Sequence, residues 1–109
     1  MKRFTKSHEW IDEEGTVGIT DYAKKELGDI VYVQLPIVGQ SITSGKEICV
    51  LESTKAAADV YSPASGKITA INDLFLQDPK WLYKMDLSND QELSSLMTQA
   101  EYDQFIGNS

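Results

Sequence analysis

One lysine of this chain differs from the other basic residues in its neighbours. Lys55 lies in Glu52-Ser53-Thr54-Lys55-Ala56-Ala57-Ala58-Asp59, where the flanking residues from Ser53 to Ala58 all have small side chains. An ordinary lysine ammonium titrates at about 10.4, so near neutrality it is charged and a poor nucleophile. An uncrowded lysine is better suited to being an attachment point. An enzyme that acylates the amine needs room to approach it, and Ser53, Thr54, Ala56, Ala57 and Ala58 leave that room. On spacing alone, a solvated loop lysine is the readier reading of Lys55.

The remaining chemistry-bearing residues are sparse. His8 is the sole histidine and Cys49 the sole cysteine, so no Cys/His ligand spacing supports a metal site and no intrachain disulfide can form. Cys49 lies within an apolar run and reads as packing rather than as a nucleophile. Trp10 and Trp81 read as core or ledge residues.

The elements around Lys55 have a β pattern. Glu47 to Leu51 reads as a strand running up, Ala57 onward as a strand running down, and Ser53 to Ala56 as their connection. Tight hairpins usually use Gly or Asn at positive φ, and neither occurs in that connection. An ordinary turn such as type I is expected instead. Further strands are predicted over 30–35, where Val31, Val33 and Leu35 alternate with Ile30, Tyr32 and Gln34, and over 67–71. Another is predicted over 81–87, with Trp81, Tyr83, Met85 and Leu87 on one face. Thr20 and Gly28 bracket a short helix as N-cap and C-terminal stop. Thr98 and Glu101 form a capping box ahead of Tyr102, Phe105 and Ile106, and a helix from about Gln91 would turn Leu93, Leu96 and Met97 inward. A single domain over 1–109 is expected, with a β core over about 4–87 and C-terminal helices over about 89–106 covering one end of it.

Composition narrows the function. The net charge of −7 comes from dispersed Asp and Glu, which argues against nucleic-acid binding. It fits either solubility or docking to basic partner surfaces. Ile48 to Leu51 is too short an apolar run to span a bilayer, and Met1 to Lys6 leads into no secretory h-region. A soluble intracellular protein without membrane association is the expectation.

Taken together, several segments resemble the glycine cleavage H-protein family. They are Ser7-His8-Glu9-Trp10, Val17-Gly18-Ile19-Thr20-Asp21, Leu27-Gly28-Asp29-Ile30-Val31 and the run from Glu52 to Gly66, in that order. The resemblance covers about Phe4 to Asn72 and resumes from Trp81 to Phe105. It implies a mainly β fold, a flattened barrel-sandwich hybrid of the lipoyl/biotinyl type with short C-terminal helices. It also implies lipoic acid joined to Lys55 as an amide, put there by a lipoate ligase or octanoyl transferase. The carrier would not be an enzyme. Its swinging arm would shuttle an aminomethyl intermediate from a glycine decarboxylase (P protein) to an aminomethyltransferase (T protein), and a dihydrolipoyl dehydrogenase (L protein) would reoxidise it. Such a protein is cytoplasmic in a bacterium and lies in the mitochondrial matrix as a processed eukaryotic chain. By motif position, Ser7, Glu9 and Asp59 are the candidates to meet the amine of the loaded arm, while capping or surface roles suit the same residues.

The chain departs from that family between Asn72 and Trp81. Relatives usually carry a connection longer by roughly ten residues here, and a glycine where Lys80 precedes Trp81. The missing stretch implies lost cover over the arm and a more exposed setting for Glu9 and Asp59. Two other readings keep a place: a relay protein that passes lipoyl groups to other enzymes, and an interaction module that has lost carrier activity. A biotin carrier fits less well, because Lys55 stands between Thr54 and Ala56 rather than between methionines.

Overall fold

A computed structural model describes residues 1–107. In chain order the elements are β1 (Arg3–Phe4), β2 (Glu9–Ile11), β3 (Thr16–Ile19), α1 (Asp21–Leu27), β4 (Ile30–Gln34), β5 (Ser41–Ile42) and β6 (Glu47–Ser53). They continue with β7 (Ala57–Tyr61), β8 (Gly66–Ile71), β9 (Tyr83–Leu87), a 3-10 segment (Asp90–Ser95) and α2 (Gln99–Gly107). One sheet has the order β1-β2-β3-β9-β8-β5 and the other β4-β6-β7, with antiparallel pairing throughout. The inner faces share a core that includes Ile11, Val17, Ile19, Cys49, Leu51, Val60, Ile68, Phe75, Leu82, Tyr83 and Met85. This is the mainly β, two-sheet sandwich that the resemblance implied.

Local rules account for several elements. The Thr20 hydroxyl accepts from the Ala23 amide at 3.2 Å and starts α1, and Gly28 ends it at φ 76°, a conformation that glycine adopts without a side-chain clash. In β3, Gly18 faces Trp10 across the ladder, and a Cβ there would lie 2.7 Å from the indole. Only a bare backbone lets that ring lie across β3 and donate Nε1–H to the Ile19 carbonyl at 3.1 Å. The capping box forms as expected: the Thr98 amide donates to Glu101 Oε1 at 2.9 Å, and the Glu101 amide donates to Thr98 Oγ1 at 3.2 Å.

Four expectations need correction. The strand expected over 81–87 begins at Tyr83, because the main chain of Leu82 is drawn aside to Val17 and Asn72 and that of Trp81 to the Asn72 side chain. In β4, a register shift between Ile30 and Tyr32 interrupts the alternation, so Val31 is exposed while Ile30 and Val33 pack on the core. The helix expected from Gln91 is a 3-10 segment, which still turns Leu93 toward the core. Rather than capping the main core, α2 builds a second apolar cluster with β1 and β2. There Tyr102 stacks on Phe4 at 4.7 Å, beside Trp10 and Met97.

The short connection from β8 to β9 is closed by one buried side chain. Asn72 Nδ2 donates to the Asp78 and Trp81 carbonyls, both at 2.9 Å, and Asn72 Oδ1 accepts from the Leu74 amide at 3.2 Å. One amide thus bridges both ends of the loop. Phe75 is tucked into the core, while Leu74 and Leu76 are left 61% and 50% exposed. No helix among the described residues is long and apolar enough to cross a membrane.

Candidate functional site

The β6–β7 hairpin ends in a turn built around a hydroxyl. Glu52 pairs with Ala57, and the Ser53 amide donates to the Ala56 carbonyl at 2.8 Å. The Ser53 hydroxyl accepts from the amides of Lys55 and Ala56, each at 3.1 Å. It therefore does the work that a main-chain carbonyl or a glycine conformation does in other tight turns. Among the described residues the only non-glycine at positive φ is His8, so the tip bends without left-handed backbone, as its composition required. Sequence reasoning treated Ser53 only as a small neighbour.

The tip is also tied sideways. The Thr54 amide donates to the Asp29 carbonyl at 3.2 Å, fixing the turn to the connection between α1 and β4. Lys55 is exposed, and among the described residues its amine makes no hydrogen bond or ion pair. Its stem rests over the end of α1: a Cβ on Gly28 would stand 3.4 Å from Lys55 Cε and 3.7 Å from Nζ.

Ser7 and Glu9 come together beside β7, with the Glu9 carboxylate buried. Glu9 is 2% exposed. Its Oε1 accepts from the hydroxyls of Thr5 at 2.5 Å and Ser7 at 2.6 Å, and its Oε2 accepts from the Tyr61 amide at 3.3 Å. This ties the first strands to β7, the downward strand of the hairpin. Asp59 stands two residues before Tyr61, exposed, and among the described residues it joins neither Ser7 nor Glu9. The shortened loop does not uncover Glu9. What it leaves open is the apolar surface of Leu74 and Leu76.

Thr5 and Tyr61 escaped the sequence reading, as did the backbone that delivers the hydroxyls. His8 adopts φ 71°, a left-handed conformation unfavourable for a residue with a Cβ. The turn is held by the Thr5 amide on the Glu9 carbonyl at 2.9 Å and by His8 Nδ1 against the Tyr102 hydroxyl at 2.8 Å. That hydroxyl also meets Thr20 Oγ1 at 2.7 Å, so α2 steadies both the β1–β2 turn and the start of α1. The nearest sequence signal was the Tyr102 position on the helical face.

Behind Glu9 lies a dry polar patch. Burial pushes the Cys49 thiol up to about 12, and the Glu9 charge adds to the effect, so the thiol is inert as the sequence suggested. Burial also raises the Tyr83 phenol; Ser62 opposes the rise, and Cys49 and Glu9 add to it. Among the described residues the Tyr83 hydroxyl has no hydrogen-bond partner, and the Ser62 hydroxyl donates to the Ala64 carbonyl at 2.6 Å.

A small two-sheet β sandwich that displays an exposed lysine on a hairpin tip is a scaffold suited to presenting an attachment point, and comparison with known proteins gives the family. The family model described as glycine cleavage H-protein matches residues 2–109. The chain is 45% identical to the glycine cleavage system H protein of Thermotoga maritima, covering 96% of this chain and 95% of that one. It is 46% identical to that of Paramagnetospirillum magneticum, with 96% and 94% covered. The crystal structure of a glycine cleavage system H protein from Mycobacterium marinum superposes with a TM-score of 0.87 at 35% identity, covering 97% of this chain and 96% of that one. The chain belongs to the glycine cleavage H-protein family. Its alignment with the Thermotoga maritima protein runs over 118 positions, more than the 109 residues of this chain, so that relative carries residues missing here.

Proposed function

We propose that this chain is a non-catalytic carrier in which Lys55 holds lipoic acid as an amide. It would move an aminomethyl group from a glycine decarboxylase to an aminomethyltransferase, with a dihydrolipoyl dehydrogenase restoring the disulfide. The observation behind this reading is Lys55 itself: exposed, unpaired and set on a turn fixed by Ser53 and Asp29. Attachment suits these residues. No partner has to be broken to free the amine, and the small side chains of Thr54 and Ala56 leave an acylating enzyme room. When bound, the group supplies a disulfide that can be opened and reloaded.

The rest of the chain serves presentation. The hydrogen-bonded tip keeps the attachment point away from the core, so a tethered intermediate reaches successive active sites without dilution. Ser7, Glu9 and Asp59 are the residues we assign to the amine of the loaded arm. Glu9 already accepts three hydrogen bonds and keeps acceptor capacity on Oε2, while Asp59 offers a free carboxylate on the same strand as Tyr61. The relatives named above are bacterial, and we place this chain in the cytoplasm of such a host.

Incubation with a lipoate ligase, lipoate and ATP tests the attachment. The chain is expected to gain the mass of one lipoyl amide, and Lys55→Arg is expected to gain none. Labelling that persists in Lys55→Arg contradicts the assignment.

A further inference from the structure

We propose that the cavity walled by β1–β3, α1 and α2 is a binding site for a small aromatic carboxylate. The ammonium groups of Lys2 and Lys80 would hold the anion over the rings of Phe4, Trp10 and Tyr102. The cavity measures about 530 Å³, a size usual for small-molecule sites. Among the described residues its lining takes none from the β6–β7 hairpin, and the proposal does not rest on the attachment to Lys55.

Charge around this cavity runs against that of the chain. The sequence has 17 acidic and 10 basic residues and a net charge of −7, yet Lys2, Lys24 and Lys80 line the cavity against only Asp21 and Asp103. Three ammonium groups and two carboxylates leave one positive charge in surplus. Both carboxylates are already engaged: Asp21 meets Lys24 Nζ at 3.9 Å, and Asp103 Oδ1 accepts from the Gln99 side chain at 2.8 Å. Among the described residues Lys2 and Lys80 have no ion-pair partner. What Lys2 has instead is a ring, with its Nζ 4.0 Å from the centroid of the Trp10 indole. A cation resting on an aromatic face keeps its donors for an anion.

The walls explain why that anion should carry a flat apolar body. The Trp10 indole lies against the bare backbone of Gly18, and its Nε1–H is committed to the Ile19 carbonyl at 3.1 Å. The Tyr102 ring stacks on Phe4 at 4.7 Å, and its hydroxyl is shared by His8 and Thr20. With those polar atoms engaged, the side chains offer a ligand ring surface, which suits offset or edge contact with another aromatic group. One surplus charge matches a carboxylate. A phosphate group at about −1.5 to −2 overshoots it and meets repulsion from the acidic remainder of the chain.

NMR titration of the isotope-labelled full chain with cinnamate tests the site, with cinnamamide, acetate and inorganic phosphate as comparison ligands. Cinnamate should shift the Trp10 indole N–H and the amides of Lys2, Thr20 and Tyr102 saturably, while the core amides of Val60 and Ile68 stay in place. Each comparison ligand should bind about tenfold more weakly, the loss expected when one charge-assisted hydrogen bond or its equivalent in ring contact is withdrawn. Lys2→Gln and Lys80→Gln, both at exposed positions, should each weaken cinnamate several-fold, and the double variant should show no saturable shift. Lys80→Arg should retain binding. A comparison ligand that binds as tightly as cinnamate overturns the ligand class. Absent or scattered shifts, or normal cinnamate binding by the double variant, overturn the site.

Discussion

Lys55 and Glu9 both carry ionisable side chains, and this fold holds them in opposite ways. Lys55 is exposed and unpaired, and the bonds that position it come from its neighbours: the Ser53 hydroxyl and the main chain of Asp29. Glu9 is 2% exposed, and its own oxygens hold it through Thr5, Ser7 and Tyr61. A buried carboxylate with no ion-pair partner among the described residues survives only because donors surround it. The contrast separates presentation from construction. Substitutions at the tip should change what reaches the lysine, and substitutions at Glu9 should change whether the sheets stay joined.

The largest stability effect should come from the buried end. Glu9→Ala leaves two hydroxyls and the Tyr61 amide without their acceptor and opens a void, so a loss of about 2–4 kcal/mol is expected. Urea unfolding measures it, and lipoylation of the molecules that remain folded should proceed normally. A near-zero loss would mean that Glu9 does not join the sheets.

The patch behind Glu9 gives a pH-dependent effect of middle size. Folded Cys49 keeps its proton up to about 12, whereas the unfolded thiol releases it near the ordinary 9.0. Between those values the native state binds more protons, so stability falls as pH rises. Tyr83, also raised by burial, adds a contribution of the same sign at higher pH. Urea midpoints at pH 8 and pH 10 should therefore differ, and Cys49→Ala should narrow the gap. An unchanged gap in Cys49→Ala would assign the alkaline loss elsewhere.

The smallest effect belongs to the tip. Ser53→Ala removes the acceptor for two exposed amides, which water can largely replace, so a loss of about 1 kcal/mol or less is expected. The turn should loosen, and the initial rate of lipoylation should fall by more than the stability change suggests. An unaltered rate would show that the ligase does not need an ordered tip.

Much of this molecule was legible where neighbours in sequence decide the outcome. Thr20 and Gly28 bracket α1, Thr98 and Glu101 cap α2, and the small residues around Lys55 do stand on a hairpin tip. What stayed hidden depends on partners far along the chain. The bulge at Val31 exists only in register with β6, and the His8 conformation is steadied by Tyr102, 94 residues away. Glu9 carried a motif that suggested a ligand contact; Thr5 and Ser7 meet it from the same turn, but its tie to β7 comes through the Tyr61 amide, 52 residues along, which no local pattern encodes. The short β8–β9 connection was visible in the sequence. Its consequence was not, because Asn72 closes the gap and moves the exposed surface to Leu74 and Leu76.

The central claim is that Lys55 is the one modified residue of a carrier. Intact mass and fragmentation of the chain isolated from its native host test it most directly. The account predicts the mass of a single lipoyl amide, with fragment ions that place it on Lys55. An unmodified chain from cells that lipoylate their other carriers, or a lipoyl group on a different lysine, would contradict it.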